Sequence, residues 1–349
     1  MKRVYILLGS LVFLMGAFLL FGIKNKSKKI KNDTNTEKRD RQIKSVEYKQ
    51  VSFSDTLNLF ELNRPLSLRN DGSSFYTIDF SNMIIYRFSA NGKLINTIGK
   101  GRGRGPGEMS LITDFFVDDK FVWVVDSNSL SIHKFTKEGE YLLSRTIKGH
   151  PLRISSQKDN LYLIVIGGNG LFRSIPKDLK NEESKDFGIL IENQIKNILT
   201  LDGILLKRDN GGFIYVPSYA SLIYFYNEND SLSFIVKSPD RQKFLHSIDK
   251  STSNKMQIMA PTPDIKTTGA VISNDLLYVV EQYRGSEIQK NKQFADNPFK
   301  EFIDVYDVDN GKYLYSLLPP IAFKDFTIMG NTLLTISNSK IKKYEFASD

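Results

Sequence analysis

Arg102, Arg104 and Glu108 are the residues of this chain best placed by type and spacing to touch a ligand. They sit in Gly99-Lys100-Gly101-Arg102-Gly103-Arg104-Gly105-Pro106-Gly107-Glu108, where glycine holds every second position from 99 to 107. Glycine leaves the backbone free to turn, and Pro106 fixes one point of it. Two guanidiniums and a carboxylate on such a loop suit an anionic or hydrogen-bonding ligand or partner. The plainer use of the same arginines is to pair with acids or carbonyls beside the loop. It is not a phosphate-cradling P-loop, because no Gly-Lys-Ser/Thr follows and no helix pattern opens there. The three histidines, His133, His150 and His246, lie on unrelated segments, so spacing does not assemble a zinc site. No Gly-x-Ser-x-Gly elbow is present, and no Ser-His-Asp set can be built by spacing. No metal and no cofactor is expected.

The elements that must position these residues are strands. A phrase of turn, short apolar strand with an aromatic, and second strand recurs six times with drift. Its clearest copies are Phe75-Tyr76-Thr77-Ile78-Asp79, Val122-Trp123-Val124-Val125-Asp126 and Leu277-Tyr278-Val279-Val280-Glu281. The anchors Tyr76, Trp123, Tyr162, Tyr215, Tyr278 and Leu334 are 47, 39, 53, 63 and 56 positions apart. Such a period, built from strands alone, is that of a propeller blade. Asn91-Gly92 and Asn310-Gly311 mark hairpins between third and fourth strands. The anchors are expected to pack between blades. The acids three places on, Asp79, Asp126 and Glu281, are expected to bond to turn or neighbouring amides.

The last repeat stops one strand short, at Asp349. The unassigned strand-like segment from Val46 to Phe53 is therefore expected to pair with it and close the ring. The fold class is then all-β, a six-bladed β-propeller closed by an N-terminal strand and preceded by one N-terminal transmembrane helix. Two insertions break the regularity. Asp240 to Met259 carries spaced apolar residues and is expected to hold a short helix or two; Tyr283 to Lys300 reads as a polar loop. Long loops on a rigid scaffold are common binding sites, and equally common surface decoration.

Charge separates the ends of the chain. Of 48 Lys/Arg and 39 Asp/Glu, the first 50 residues hold 12 and 4, which leaves the rest near balance at 36 against 35. A near-neutral propeller has no basic footprint for nucleic acid. Val4 to Ile23 is uncharged and long enough for a hydrocarbon core of about 30 Å. It ends without a small-x-small cleavage site, so residues 1–23 read as an uncleaved signal-anchor. Residues 24–45 read as a polar basic linker and 46–349 as the propeller. The lysines after the span favour a cytoplasmic propeller, whereas the span's place at the start of the chain favours export. The expected location is the inner (cytoplasmic) membrane, single-pass, with the propeller on the periplasmic side. No cysteine is present, which excludes disulfides, thiolate sites and N-terminal lipid attachment through Cys.

The blade phrases followed by Gly-Arg-Gly-Pro-Gly-Glu resemble the bacterial six-bladed β-propeller family, which is NHL-repeat-like and attached to the cell envelope. The resemblance covers about residues 46–349. It implies a fold and an envelope location, with no established reaction. Members often carry a lipid-modified cysteine, so a transmembrane helix would stand in for the lipid here. Propeller hydrolases of the gluconolactonase type hold calcium in the central tunnel on acidic and amide oxygens. The strands expected to line this tunnel carry only Asp114 and Asp325 as carboxylates, among Arg, Lys, Ser and Thr. The expectation is thus a non-catalytic binding or assembly module with a protein or small-molecule ligand. The alternative is a cation-dependent hydrolase or lyase with its site in the tunnel.

Overall fold

Six four-stranded antiparallel sheets follow one another along the chain. The computed structural model describes residues 41–53, 62–181, 183–188, 201–239, 249–252, 255–258, 265–283 and 301–346. Blade 1 comprises Pro65–Asn70, Ser74–Asp79, Ile84–Ser89 and Leu94–Ile98; blade 2 comprises Ile112–Val117, Phe121–Asp126, Ser131–Thr136 and Tyr141–Thr146. Blade 3 is built from His150–Gln157, Asn160–Ile166, Phe172–Pro176 and the short Lys185–Phe187; blade 4 from Gly203–Lys207, Phe213–Pro217, Leu222–Tyr226 and Leu232–Lys237. Blade 5 contains Ile265–Ser273, Leu276–Tyr283, Glu301–Asp307 and Tyr313–Leu317. Blade 6 takes Asp325–Met329, Thr332–Ser337 and Lys340–Phe346 from the end of the chain, with Tyr48–Val51 as its fourth strand. The first strands touch their neighbours in ring order, blade 6 against blade 1 included. The expected helix at 1–23 lies outside the described residues.

The period-2 alternation of each second strand builds the ring. Tyr76 and Ile78 point into the seam with blade 2, while Phe75 points into the seam with blade 6. Val122 and Val124 face blade 1, and Trp123 and Val125 face blade 3. Each of the six seams owns one apolar cluster. All six anchors are buried in them, Trp123 and Tyr76 completely.

Polar ends of the anchors add a second inter-blade device. Tyr76 Oη donates to Asp71 Oδ2 at 2.8 Å, and Lys137 of blade 2 reaches the same oxygen at 2.8 Å. One blade on, Trp123 Nε1 donates to Asp118 Oδ2 at 2.8 Å, with Lys177 of blade 3 at 3.5 Å. Burial pushes both carboxyls up, but the anchor, turn-amide and lysine interactions outweigh it and hold them below the usual carboxylate range. A folded-state pKa below the unfolded value of about 3.9 gives stability that is present above pH 4 and lost as pH falls through the folded value. The melting temperature should therefore drop steeply below about pH 4, and Asp71→Asn should flatten part of that drop. Superimposable acid limbs for the two proteins would contradict this role.

The chain ahead of blade 1 is a strap. Tyr48–Val51 runs antiparallel to Lys340–Phe346, with Tyr48 opposite Phe346 and Val51 opposite Lys343. Phe53 then packs on Phe75 at 5.8 Å between ring centroids, in the space that a side chain on Gly92 would fill. Docking begins earlier than the expected linker boundary at 45. Gln42 and Lys44 exchange backbone bonds with Ser316, and Ile43 bridges it in parallel. Arg41 is buried at 6% exposure, with Nε 3.0 Å and Nη2 2.9 Å from the Asp304 carboxylate and Nη2 2.9 Å from Glu281. Its guanidinium carbon lies 4.5 Å from the Phe302 ring centre. Glu281 thus pairs with this arginine, whereas Asp79 and Asp126 accept from amides as expected, Ser81 N at 3.0 Å and Ser110 N at 2.7 Å.

The first insertion also differs from its expected helix. Its described part is a hairpin, Asp249–Thr252 against Lys255–Ile258. Ser and Asn are weak helix formers, and this segment of the sequence is rich in them. Residues 240–248, 259 and 284–300 lie outside the described residues, and with them the polar-loop expectation.

Candidate functional site in the central channel

The first strands line the channel, and four of them carry a bulge near their start. Pairing shifts between Leu66 and Leu68, Ile112 and Asp114, Pro151 and Arg153, and Thr267 and Gly269. A bulge re-aims the residues that follow it. In blades 1 to 3 these include Arg69, Asp114 and Arg153.

Together with two aspartates from blades 4 and 6 they form a chain of charges across the seams. Asp325 of blade 6 accepts Leu68 N at 2.8 Å, and Arg69 Nη1 lies 3.7 Å from the same carboxylate oxygen. Arg69 Nη2 donates to Asp114 Oδ1 at 2.8 Å, and Asp114 Oδ2 accepts Ile154 N of blade 3 at 3.1 Å. Arg153 forks onto Asp202 at 2.8 Å through Nε and again at 2.8 Å through Nη2, and its Nη1 donates to Thr113 O at 2.9 Å. Such two-pronged arginine pairs hold geometry as well as charge. The Arg69 and Arg153 side chains are partly exposed, at 30% and 28%, while Asp114 is 4% exposed.

The electrostatics follow from this crowding. Burial would pull the Arg153 guanidinium down, but Asp202 first, then Asp114 and Asp325, push it up. Burial pushes the Asp325 carboxyl up, Arg69 and the Leu68 amide oppose it, and Asp114 adds to it. The two expected carboxylates, Asp114 and Asp325, therefore share one site, joined by Arg69. Where a cation cage would need free oxygens, guanidinium and amide protons are in place. Asp202, just ahead of blade 4, and Arg69, in the first strand of blade 1, belong to the same constellation.

The glycine loop is folded on itself. Glu108 turns its carboxylate back onto Arg104 N at 3.0 Å and Gly105 N at 2.8 Å. A Cβ on Gly103 would lie 2.0 Å from that carboxylate, so the Glu108 side chain would have to move to admit one. Met109 N bonds Gly101 O at 3.0 Å and Lys100 N bonds Gly107 O at 2.8 Å. Arg102 is exposed and donates to Ser110 O at 3.0 Å, and Arg104 is exposed. Among the described residues none of the three bonds to Asp114 or Asp325, so the two expected groups remain separate.

His133 sits beside Ser131, with Nε2 3.0 Å from Oγ, and 4.0 Å from Asp126 through the same nitrogen. A nucleophile relay needs the carboxylate on the opposite ring nitrogen. Here Nδ1 is buried with no hydrogen-bond partner among the described residues, and burial holds the imidazole below its ordinary value. His150 opens blade 3 on the surface, and His246 lies outside the described residues.

The fold agrees with sequence comparison. Residues 30–260 match the family described as "6-bladed beta-propeller", and the chain belongs to that family. No curated protein matches the sequence. Among solved structures, a Bacteroides vulgatus protein of another uncharacterised family is similar over 87% of this chain and 99% of its own, at 10% identity and a TM-score of 0.56. A candidate exported protein of Bacteroides fragilis is similar over 87% of this chain and 95% of its own, at 15% identity and a TM-score of 0.52. Virginiamycin B lyase of Staphylococcus aureus, a catalytically inactive H270A form with quinupristin, is similar over 86% and 99%, at 10% identity and a TM-score of 0.51. At such identities the likeness is one of fold.

Proposed function

We propose that this propeller is a non-catalytic binding or assembly module of the cell envelope, tethered to the cytoplasmic membrane by residues 4–23 with the propeller outside. The observation that carries the reading is the channel constellation. Its carboxylates are engaged by Arg69, Arg153 and backbone amides, and the two arginine side chains are partly exposed, an arrangement suited to exchanging partners with a ligand. The location is supported by the apolar run at the start of the chain and by the likeness to the candidate exported protein.

Two experiments test it. Immobilised full-length protein should retain an envelope partner or ligand that Arg69→Lys plus Arg153→Lys loses at an unchanged melting temperature. Lysine keeps the charge and removes the fork. Equal retention by both proteins would contradict a channel site. Because the chain has no cysteine, Asn35→Cys offers a single thiol just outside the expected span. A membrane-impermeant maleimide should label it in cells whose cytoplasmic membrane is intact; labelling only after lysis would place the propeller inside.

A second reading, a lyase or hydrolase, has one observation in its favour. The Asp325 carboxyl is pushed up beside an arginine in the channel, and perturbed carboxyls in channels are candidates for general acid or base work. Cation-dependent turnover lost in Asp114→Asn would support it.

A further inference from the structure

We propose that a groove between blades 2 and 3 binds a tetrahedral oxyanion group, phosphate or sulfate, carried on a larger molecule. The groove measures about 480 Å³ and is walled by the fourth strand of blade 2 and the third strand of blade 3, away from the channel charges. Its lining holds Arg145, Lys148, Arg173 and Lys180, the hydroxyls of Ser144, Thr146 and Ser184, and, among the described residues, no carboxylate.

The four cations are not equivalent. Arg173 is neutralised, with Nε 2.6 Å and Nη2 2.9 Å from the Asp186 carboxylate and Nη1 on Lys148 O. Arg145 donates to Asn181 O at 2.5 Å and Glu183 O at 3.3 Å, which holds the turn after blade 3's third strand against the groove. Lys148 and Lys180 are exposed ammoniums that make no side-chain hydrogen bond among the described residues, although Lys148 also feels the Asp186 carboxylate electrostatically. Among the described residues, the nearby acids have other hydrogen-bond partners: Asp186 accepts from Arg173, Asp178 from Asn181 N at 3.3 Å, and Glu183 from Asn181 Nδ2 at 3.2 Å.

Ile147, Ile175 and Leu179, at 3%, 1% and 5% exposure, form the floor. A low-dielectric wall strengthens the field of charges above it. Like charges held over such a floor, with hydroxyl donors between them, are relieved by an anion. Lysine serves oxyanions of this kind as a point charge. A bare ion does not fill a space within the roughly 300–1,000 Å³ range of small-molecule sites, so the group is one substituent of its ligand.

The test is calorimetric titration of the detergent-solubilised full chain with inorganic phosphate, sulfate and chloride at matched ionic strength. Lys148→Ala plus Lys180→Ala serves as the variant, both residues being exposed. Saturable binding of phosphate or sulfate, at least tenfold weaker in the variant at equal melting temperature, is expected; tenfold corresponds to about 1.4 kcal/mol. Equal affinity in the two proteins, or a response matched by chloride, overturns the site. Glucose 6-phosphate against phosphate, and glucose 6-sulfate against sulfate, distinguish the sources. Tighter binding of one ester than of its bare ion is expected, and failure of both overturns the larger-molecule part. Arg69→Lys should leave this titration unchanged, so the groove and the channel reading fail separately.

Discussion

Replacing Arg41 by alanine is expected to destabilise the propeller by about 3–5 kcal/mol, the range for breaking a buried ion pair from one side. The loss comes less from the missing contacts than from what stays behind. Asp304 and Glu281, at 0% and 1% exposure, would keep their charges in the seam with no guanidinium on them. Stacking on Phe302 would go as well. In a domain of this size each kcal/mol lowers the melting temperature by about 2 °C, so a fall of roughly 6–10 °C is expected. Arg41→Met with Asp304→Asn and Glu281→Gln should recover much of it, because no charge is then buried alone. A melting temperature within about 1 °C of the wild type for Arg41→Ala would show that the docked segment adds nothing.

Deleting residues 46–53 should have a larger effect. The deletion opens the edge of Lys340–Phe346, removes Tyr48 from the seam between blades 5 and 6, and removes Phe53 from the seam between blades 6 and 1. Loss of one buried aromatic alone costs about 3–5 kcal/mol, and each lost ladder bond about 0.5–1.5 kcal/mol. An exposed edge also invites pairing with another chain. The expected result is a broadened, non-cooperative melt with a rising tendency to associate. Unchanged, cooperative melting of the truncated protein would show that the ring holds without its N-terminal strand.

The strap and the blades were legible to different degrees for physical reasons. Tyr76, Trp123 and Tyr278 announce blades because each lies in a period-2 apolar strand between turns, and a seam must be filled on both sides. Glu108 read as a ligand contact because types and spacing do not show which way a carboxylate turns; in the structure it caps its own loop. Arg41 was not legible, since one arginine in a basic, polar stretch looks like its solvated neighbours until Asp304 and Glu281 are folded around it. Asp114 and Asp325 were singled out from opposite ends of the chain, but Asp202 was not. Its meeting with Arg153 depends on a bulge at Leu152 that no local pattern marks. The hairpin of Asp249–Thr252 and Lys255–Ile258 is not legible as strand, because apolar spacing in a short segment suits either element.

The central claim is that the channel is an arginine–aspartate binding site rather than a cation-dependent catalytic one. The most direct test is the melting temperature of the full chain, stripped of metal and then given Ca²⁺, Mg²⁺, Mn²⁺ or Zn²⁺. Specific binding at a hundred times Kd would add about 2.7 kcal/mol of stability. The account predicts a flat series, because Arg69, Arg153 and the Leu68 and Ile154 amides already occupy the carboxylates. A rise selective for one cation and abolished by Asp114→Asn would contradict it.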